Sequence, residues 1–207
     1  MANIYQRIMG RPLIYDRLRP WVLGGITVRT AYDMLQPVKD EIILDVGCGM
    51  GAALDFLSGF SEFHGFDTDQ VALDAFKKKH GDKANVTLYN QYVTQADVER
   101  INPHKVLMMG LLHHLDDDTV LGLLKALSAS ANLVRMVSTD VYYGPGMKHL
   151  TANLLASFDR GKYVRPPEKY VALVERAGLK VEKSVFLRSG NKLAAYYVMS
   201  IVKPPVA

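Results

Sequence analysis

The chain has 207 residues, 49% of them apolar, with a formal net charge of +4 and one cysteine. That size and apolar content suit one domain with a full core and exclude an intrinsically disordered chain. The lone Cys48 excludes an internal disulfide framework and a cysteine-built zinc site. No apolar run approaches the roughly 18 residues of a membrane helix, and the opening MANIYQRIMGRPLIYDRLRP carries arginines where a secretory signal has its apolar core. A cytoplasmic location is therefore expected. The mild positive charge is compatible with an anionic ligand. Without an arginine–lysine stripe, nucleic acid is not expected as a partner.

In chain order, residues 1–35 read as a helical cap in which Tyr5, Tyr15, Trp21 and Tyr32 interleave with arginines. Glu41–Val46 reads as a buried strand and Gly51–Ser58 as the start of a helix. Phe63–Phe66 is a second strand, ending at Asp67. Asp69–His80 has helical spacing and stops at Gly81. Val86–Tyr89 and Lys105–Met109 are the third and fourth strands. Asp117–Ala131 is a helix with acids at its start, which suit the positive end of the helix dipole. Leu133–Ser138 is the fifth strand. Residues 142–166 follow as an insertion, then a helix Glu168–Ala177 closed by Gly178. Two strands end the chain, Lys180–Leu187 and Leu193–Val202, joined around Ser189-Gly190-Asn191 as a hairpin. The alternation of strand and helix predicts an α/β fold: a doubly wound, mostly parallel seven-stranded sheet with a terminal antiparallel hairpin. Ligands of such sheets bind outside the carboxyl ends of the strands. Residues 1–35 and 142–166 can both reach that edge, as a cap and a lid on a single domain 1–207.

The stretch ILDVGCGMG, Ile43 to Gly51, carries the chemistry. A strand running into Gly47, Gly49 and Gly51 delivers a tight turn without Cβ atoms, followed by helix amides that face the cleft. Two ligands compete for it. Gly47-x-Gly49-x-x-Ala52 satisfies the dinucleotide fingerprint, with Asp67 at the spacing of a ribose contact. That keeps an NAD(P)-dependent reductase open. The other candidate is S-adenosylmethionine.

ILDVGCGMG resembles motif I of the class I S-adenosylmethionine-dependent methyltransferases, an apolar strand followed by D/E-x-G-x-G-x-G, with Asp45 supplying the acid. FHGFDTD resembles the family's second motif and VLMMGLLHHLDDD its fourth-strand motif. The order of motifs and the final hairpin match as well, so that the resemblance covers residues 40–202. FDRGKYVRPPEKY is similar to a segment of small bacterial members, which narrows the family and not the substrate. The resemblance implies a Rossmann-like methyltransferase fold with S-adenosylmethionine as cofactor and S-adenosylhomocysteine as product. Gly47, Cys48, Gly49 and Gly51 would lie against the methionine moiety. Asp45 would hold the loop, and Asp67, followed by Thr68, would accept the ribose hydroxyls. Met109, Gly110 and Leu111 would pass beneath the cofactor. The chain departs from the pattern after strand three. Tyr92, followed by Val93, stands where the family carries an acid for the adenine amino group.

Methyl transfer from a sulfonium is an in-line displacement, in which the protein positions the acceptor and excludes water. An alcohol or phenol must also lose a proton. His113 and His114 follow strand four and can take it, since a free imidazole has a pKa of about 6.5. His113 is nearer the strand end. The alternative for either is capping or packing. Neighbouring side chains point apart, so these histidines and Asp116–Asp118 are not expected to hold a metal. Cys48 reads as a small filler, with a reactive thiol at a helix start as the alternative. His149, Arg160, Tyr163 and Arg165 lie in the insertion. Its two arginines suit an acidic substrate or a solvated helix end.

The reading is S-adenosylmethionine-dependent methyl transfer to an oxygen or nitrogen of a small molecule, with an anionic substrate left open, by a monomer or homodimer. The alternatives are the reductase and a non-catalytic protein that keeps the fold to bind a partner.

Overall fold

The computed structural model describes residues 29–144, 162–188 and 195–205. The expected cap thus lies outside the described residues up to residue 28, as do 145–161 of the insertion and the hairpin turn 189–194. One helix of the cap is described, α1 (Arg29–Leu35), which buries Ala31, Tyr32, Met34 and Leu35.

A seven-stranded sheet in the order β3-β2-β1-β4-β5-β7-β6 carries the molecule. Its strands are β1 (Ile42–Val46), β2 (Glu62–Phe66), β3 (Val86–Tyr89), β4 (Lys105–Met109), β5 (Arg135–Val141), β6 (Lys180–Arg188) and β7 (Ala195–Val202). Strands β1 to β5 pair in parallel, and β7 runs antiparallel to both neighbours. The predicted architecture is therefore present. Because β7 separates them, β5 and β6 run in the same direction and end at the same edge as β1 and β4.

Alternation along the strands sorts the core into two layers. Leu44, Phe66, Val106, Met108 and Met136 face one side, together with Val98 and Ile101 of α3 (Gln95–Ile101), Leu124 of α4 (Asp117–Leu127) and Tyr170 of α5 (Pro167–Arg176). Ile43, Phe63, Leu107, Val137 and Val198 face the other, against α1, the Ala52–Asp55 turn, and Leu73 and Phe76 of α2 (Gln70–His80).

Several elements differ from the sequence expectation. The helix expected over Gly51–Ser58 is a single 3₁₀ turn, Ala52–Asp55. Gly51 (φ 76) and Gly59 (φ 81) are both left-handed, which leaves room for one tight turn between them. A single 3₁₀ turn thus stands behind the glycine loop where an α-helix was expected. Helix α4 stops at Leu127 instead of Ala131, because Ser128 and Ser130 turn their hydroxyls onto the carbonyls of Lys125 (2.7 Å) and Pro103 (2.7 Å). Strand β5 starts at Arg135 instead of Leu133 and runs on to Val141, because Thr139, Asp140 and Val141 pair with β7. Helix α3 was not expected at all. Its signal is a capping box in which Thr94 Oγ1 accepts from the Asp97 amide (3.2 Å) and Asp97 Oδ2 accepts from the Thr94 amide (3.1 Å).

Candidate active site

The loop after β1 lies beside the end of β2, because the two strands are parallel neighbours. The Phe66 carbonyl accepts from the amides of Gly47 (2.8 Å) and Cys48 (3.1 Å). Asp67 Oδ2 accepts from the Gly49 amide (2.8 Å), and its Oδ1 from the Asp69 amide (2.9 Å). The Asn90 amide nitrogen donates to the Asp67 carbonyl (3.1 Å). Thr68, beside it, is exposed. Two of the glycines are required for different reasons. A Cβ on Gly51 would stand 2.6 Å from the Phe76 ring, so this glycine makes room for the core. A Cβ on Gly49 would meet nothing within 4 Å, so the backbone there faces open space.

Asp45 does not hold the loop. Each loop amide described above is taken by Phe66 or Asp67, and the buried Asp45 Oδ1 has no hydrogen-bond partner. Burial, aided by the nearby negative charge of Asp67, pushes its carboxyl up to about 7. Cys48 is buried against Gly65, and a Cβ on that glycine would stand 2.9 Å from its sulfur. Burial raises the thiol further above its ordinary value, so Cys48 is a small filler and not a reactive thiol.

At the end of β4, Met109 pairs with Thr139, and the Gly110 amide donates to the Thr139 carbonyl (2.7 Å). Gly110 (φ 72) turns the chain through Leu111 into a 3₁₀ turn, Leu112–His114. That turn presses His113 onto Asp140 of β5. Asp140 is fully buried, and its Oδ1 accepts from the His113 amide (3.1 Å) and lies 2.9 Å from His113 Nδ1. Ser138 Oγ donates to Asp140 Oδ2 (2.7 Å). A carboxylate can only accept, so this contact suits the imidazole tautomer that carries its hydrogen on Nδ1. His114 is exposed, its ring centroid 4.2 Å from that of His113.

Arg165 serves neither as the anion contact nor as the solvated helix end that its sequence context allowed. It is 4% exposed and donates to the carbonyls of Leu112 (2.8 Å), Tyr163 (2.8 Å) and Leu115 (2.6 Å) and to Asp117 Oδ1 (2.7 Å). Its guanidinium also lies over the rings of Tyr163 and Tyr170. The Tyr163 amide donates to the His113 carbonyl (3.0 Å), and the Tyr143 amide to the Arg165 carbonyl (3.2 Å). Arg165 therefore clamps the His113 turn, with its donors spent on protein groups. His149 and Arg160 lie outside the described residues.

Beyond β3, Tyr92 is 79% exposed and Val93 packs on the core. The nearby acid, Asp97, is occupied in capping α3 and accepting from Gln91 (3.3 Å). Among the described residues no group of three His, Cys, Asp or Glu side chains gathers as a metal requires, and no helix is long and apolar enough to cross a membrane.

Residues 43–132 match a family model described as a methyltransferase domain. No curated protein matches the sequence. Among solved structures, the mitomycin 7-O-methyltransferase MmcR is 19% identical with a TM-score of 0.61, over 86% of this chain and 54% of its own. CalO1, a methyltransferase in calicheamicin biosynthesis with S-adenosylhomocysteine bound, is 15% identical with a TM-score of 0.67, over 98% of this chain and 61% of its own. A SAM-dependent methyltransferase of Leishmania major is 14% identical with a TM-score of 0.65, over 88% and 76%. At these identities the likeness is one of fold. The chain spans about half the length of MmcR and of LaPhzM, 54% and 55%. The matched motif region, set in this sheet order, gives the chain a methyltransferase domain over residues 43–132 and the Rossmann-like fold of solved S-adenosylmethionine-dependent methyltransferases.

Proposed function

We propose that the protein methylates an oxygen of a small molecule, with His113 taking the acceptor's proton. The supporting observation is the His113–Asp140 pair, 2.9 Å between Nδ1 and Oδ1, in the turn that follows Gly110 at the end of β4. A nitrogen acceptor that arrives unprotonated would need no such base. MmcR, a 7-O-methyltransferase, and CalO1, of calicheamicin biosynthesis, are named for work on small molecules, and the same substrate scale is proposed here.

The cofactor supplies an activated methyl group on a sulfonium. The residues at the β1 and β2 ends fit it. The open face of Gly49 admits a ligand against the backbone, flanked by Gly47, Cys48 and Gly51. The partnerless oxygen of Asp45 offers a carboxylate to a cation, since a buried polar atom without a partner is costly. Asp67 keeps lone pairs beyond its two amide contacts and accepts the ribose hydroxyls. Met109, Gly110 and Leu111 form the floor. Thr68, Tyr92 and Val93 border the adenine end, where an exposed aromatic ring replaces the usual acid. His114 flanks the acceptor beside His113.

Calorimetric titration with S-adenosylhomocysteine, with NAD as control, is the test. Asp67→Asn removes a charge-assisted acceptor worth about 1.5–3 kcal/mol, and so should weaken S-adenosylhomocysteine roughly 10- to 100-fold. Unchanged affinity would remove Asp67 from the ribose site. Binding of NAD alone would overturn the methyl-transfer reading.

A further inference from the structure

The proposed site uses the ends of β1, β2 and β4, with Asp140 of β5 behind His113. A cavity of about 540 Å³ opens farther along the same edge, lined by Tyr142, Tyr143, Pro166, Pro167, Phe186 and Arg188, with Gly144 and Glu168 at its border. Its size lies within the range of small-molecule sites, about 300–1,000 Å³. Tyr142 directly follows β5, Phe186 and Arg188 end β6, and the two prolines open α5. The walls are aromatic. Tyr142 lies 5.2 Å from Phe186, which lies 5.0 Å from Tyr197, measured between ring centroids. Phe186 is nonetheless 58% exposed, an unusual place for a phenylalanine at the end of an edge strand.

Register ties this cavity to the proposed base. Asp140 pairs with Tyr197, and Tyr197 pairs with Phe186, in one row across three strands. Neighbouring strands lie about 4.8 Å apart, so Phe186 stands roughly 10 Å from the carboxylate that holds His113. A fused two-ring aromatic is of that length. The charged side chains of the cavity are Glu168, at its border beside α5, and Arg188 at the end of β6, whose guanidinium acts on the Tyr142 phenol against the effect of burial.

We infer that this cavity holds the methyl acceptor, and that the acceptor is a planar aromatic, about two rings long, with an anionic group directed at Arg188. The inference rests on the methyl-transfer reading and adds a substrate class to it. The rings of Tyr142, Tyr143 and Phe186 and the faces of Pro166 and Pro167 supply stacking and apolar contact. The guanidinium supplies a planar donor pair for a carboxylate or phenolate. The far end of the ligand then carries the hydroxyl toward His113.

The probe is 6-hydroxy-2-naphthoate, whose carboxylate and hydroxyl lie at opposite ends of the two rings, titrated calorimetrically into the full chain with and without saturating S-adenosylhomocysteine, against 6-hydroxyhexanoate as an aliphatic acid of the same functional groups. The naphthoate should bind and the hexanoate should not. Phe186→Thr and Arg188→Gln, both at exposed positions, should each weaken the naphthoate roughly tenfold and leave S-adenosylhomocysteine affinity unchanged. Equal binding of the two acids, no binding of the naphthoate, or indifference to both substitutions would overturn the site. Naphthoate binding that responds to the substitutions, in a protein that does not bind S-adenosylhomocysteine, would keep the cavity as an aromatic-acid site. That result would overturn its assignment to a methyl acceptor.

Discussion

Strands β1 and β5 each carry a buried aspartate at the carboxyl end of the sheet, and the fold treats the two in opposite ways. Asp140 has no exposed surface, and both its oxygens are engaged, by the His113 backbone and ring and by the Ser138 hydroxyl. Asp45 is 3% exposed, and no hydrogen bond reaches its Oδ1. A carboxylate supplied with donors on both oxygens is a fixed part of the structure, because removing any partner strands a buried group. A carboxylate left without donors is poised, because its charge depends on what arrives beside it. Along one edge of the sheet, Asp140 is thus tied into the protein and Asp45 keeps a buried oxygen without a donor.

The largest expected effect tests the tied aspartate. Asp140→Ala leaves the His113 amide and Nδ1–H buried without an acceptor, and should cost about 3–5 kcal/mol in urea unfolding. Asp140→Asn keeps an oxygen toward His113 and a polar group toward Ser138, so its unfolding midpoint should stay near that of the parent. If Asp140 is a positioning residue for a base, the asparagine variant should still lose roughly 10²-fold or more in kcat with cofactor affinity intact. A stable asparagine variant with full turnover would reduce the pair to packing.

The other aspartate is read through pH. The Asp45 carboxyl is raised from 3.8 to about 7, so the native state keeps a proton that the unfolded chain gives up. Between those values the folded protein binds more protons than the unfolded one, and stability must fall as pH rises from about 4 to 7, then level off. At about 1.4 kcal/mol per pH unit the full loss is roughly 4 kcal/mol. Asp45→Asn, neutral at every pH, should remove this decline and melt higher than the parent at pH 8 in the absence of ligand. It should also bind S-adenosylhomocysteine more weakly. A parent whose melting temperature is flat from pH 4.5 to 7.5 would show that Asp45 is neutralised by a group outside the described residues.

The comparison also separates what sequence can show from what it cannot. The β1 loop was legible because its signals are local: three glycines at alternate positions, an acid before them, and Asp67 at the next strand end. The mostly parallel sheet was legible from the alternation of strand and helix, and the antiparallel end from two consecutive strands joined around Ser189-Gly190-Asn191. His113 was identifiable as a candidate from its place after β4. Its partner was not, because Asp140 lies 27 residues on and meets it only through the pairing of β4 with β5. The role of Arg165 was hidden for the same reason. An arginine in an insertion looks like an anion site until its acceptors are known, and here Asp117 is 48 residues away and the carbonyl of Leu112 is 53. The loss of the helix after Gly51 was hidden differently. AALDFLS has helical composition, and only the left-handed glycines on either side confine it to one turn.

The smallest effects sharpen the picture within the loop itself. Gly49 and Gly51 are two residues apart in one motif, yet the surrounding structure gives them unequal reasons to be glycine. Alanine at Gly51 would carry both a left-handed backbone at φ 76 and a Cβ 2.6 Å from the Phe76 ring. The backbone costs about 1 kcal/mol and the overpacking about 1–3 kcal/mol, so the variant should lose roughly 2–4 kcal/mol of stability. Alanine at Gly49 would carry only the backbone cost at φ 51, about 1 kcal/mol, because its Cβ projects into open space. If that space belongs to the cofactor, the methyl group must intrude on it. Gly49→Ala should then weaken S-adenosylhomocysteine by more than its small melting shift accounts for, whereas folded Gly51→Ala should bind with an affinity closer to the parent. Reversal of that order, with Gly49→Ala binding normally, would move the cofactor off the middle glycine and make the alternating pattern a requirement of the turn alone.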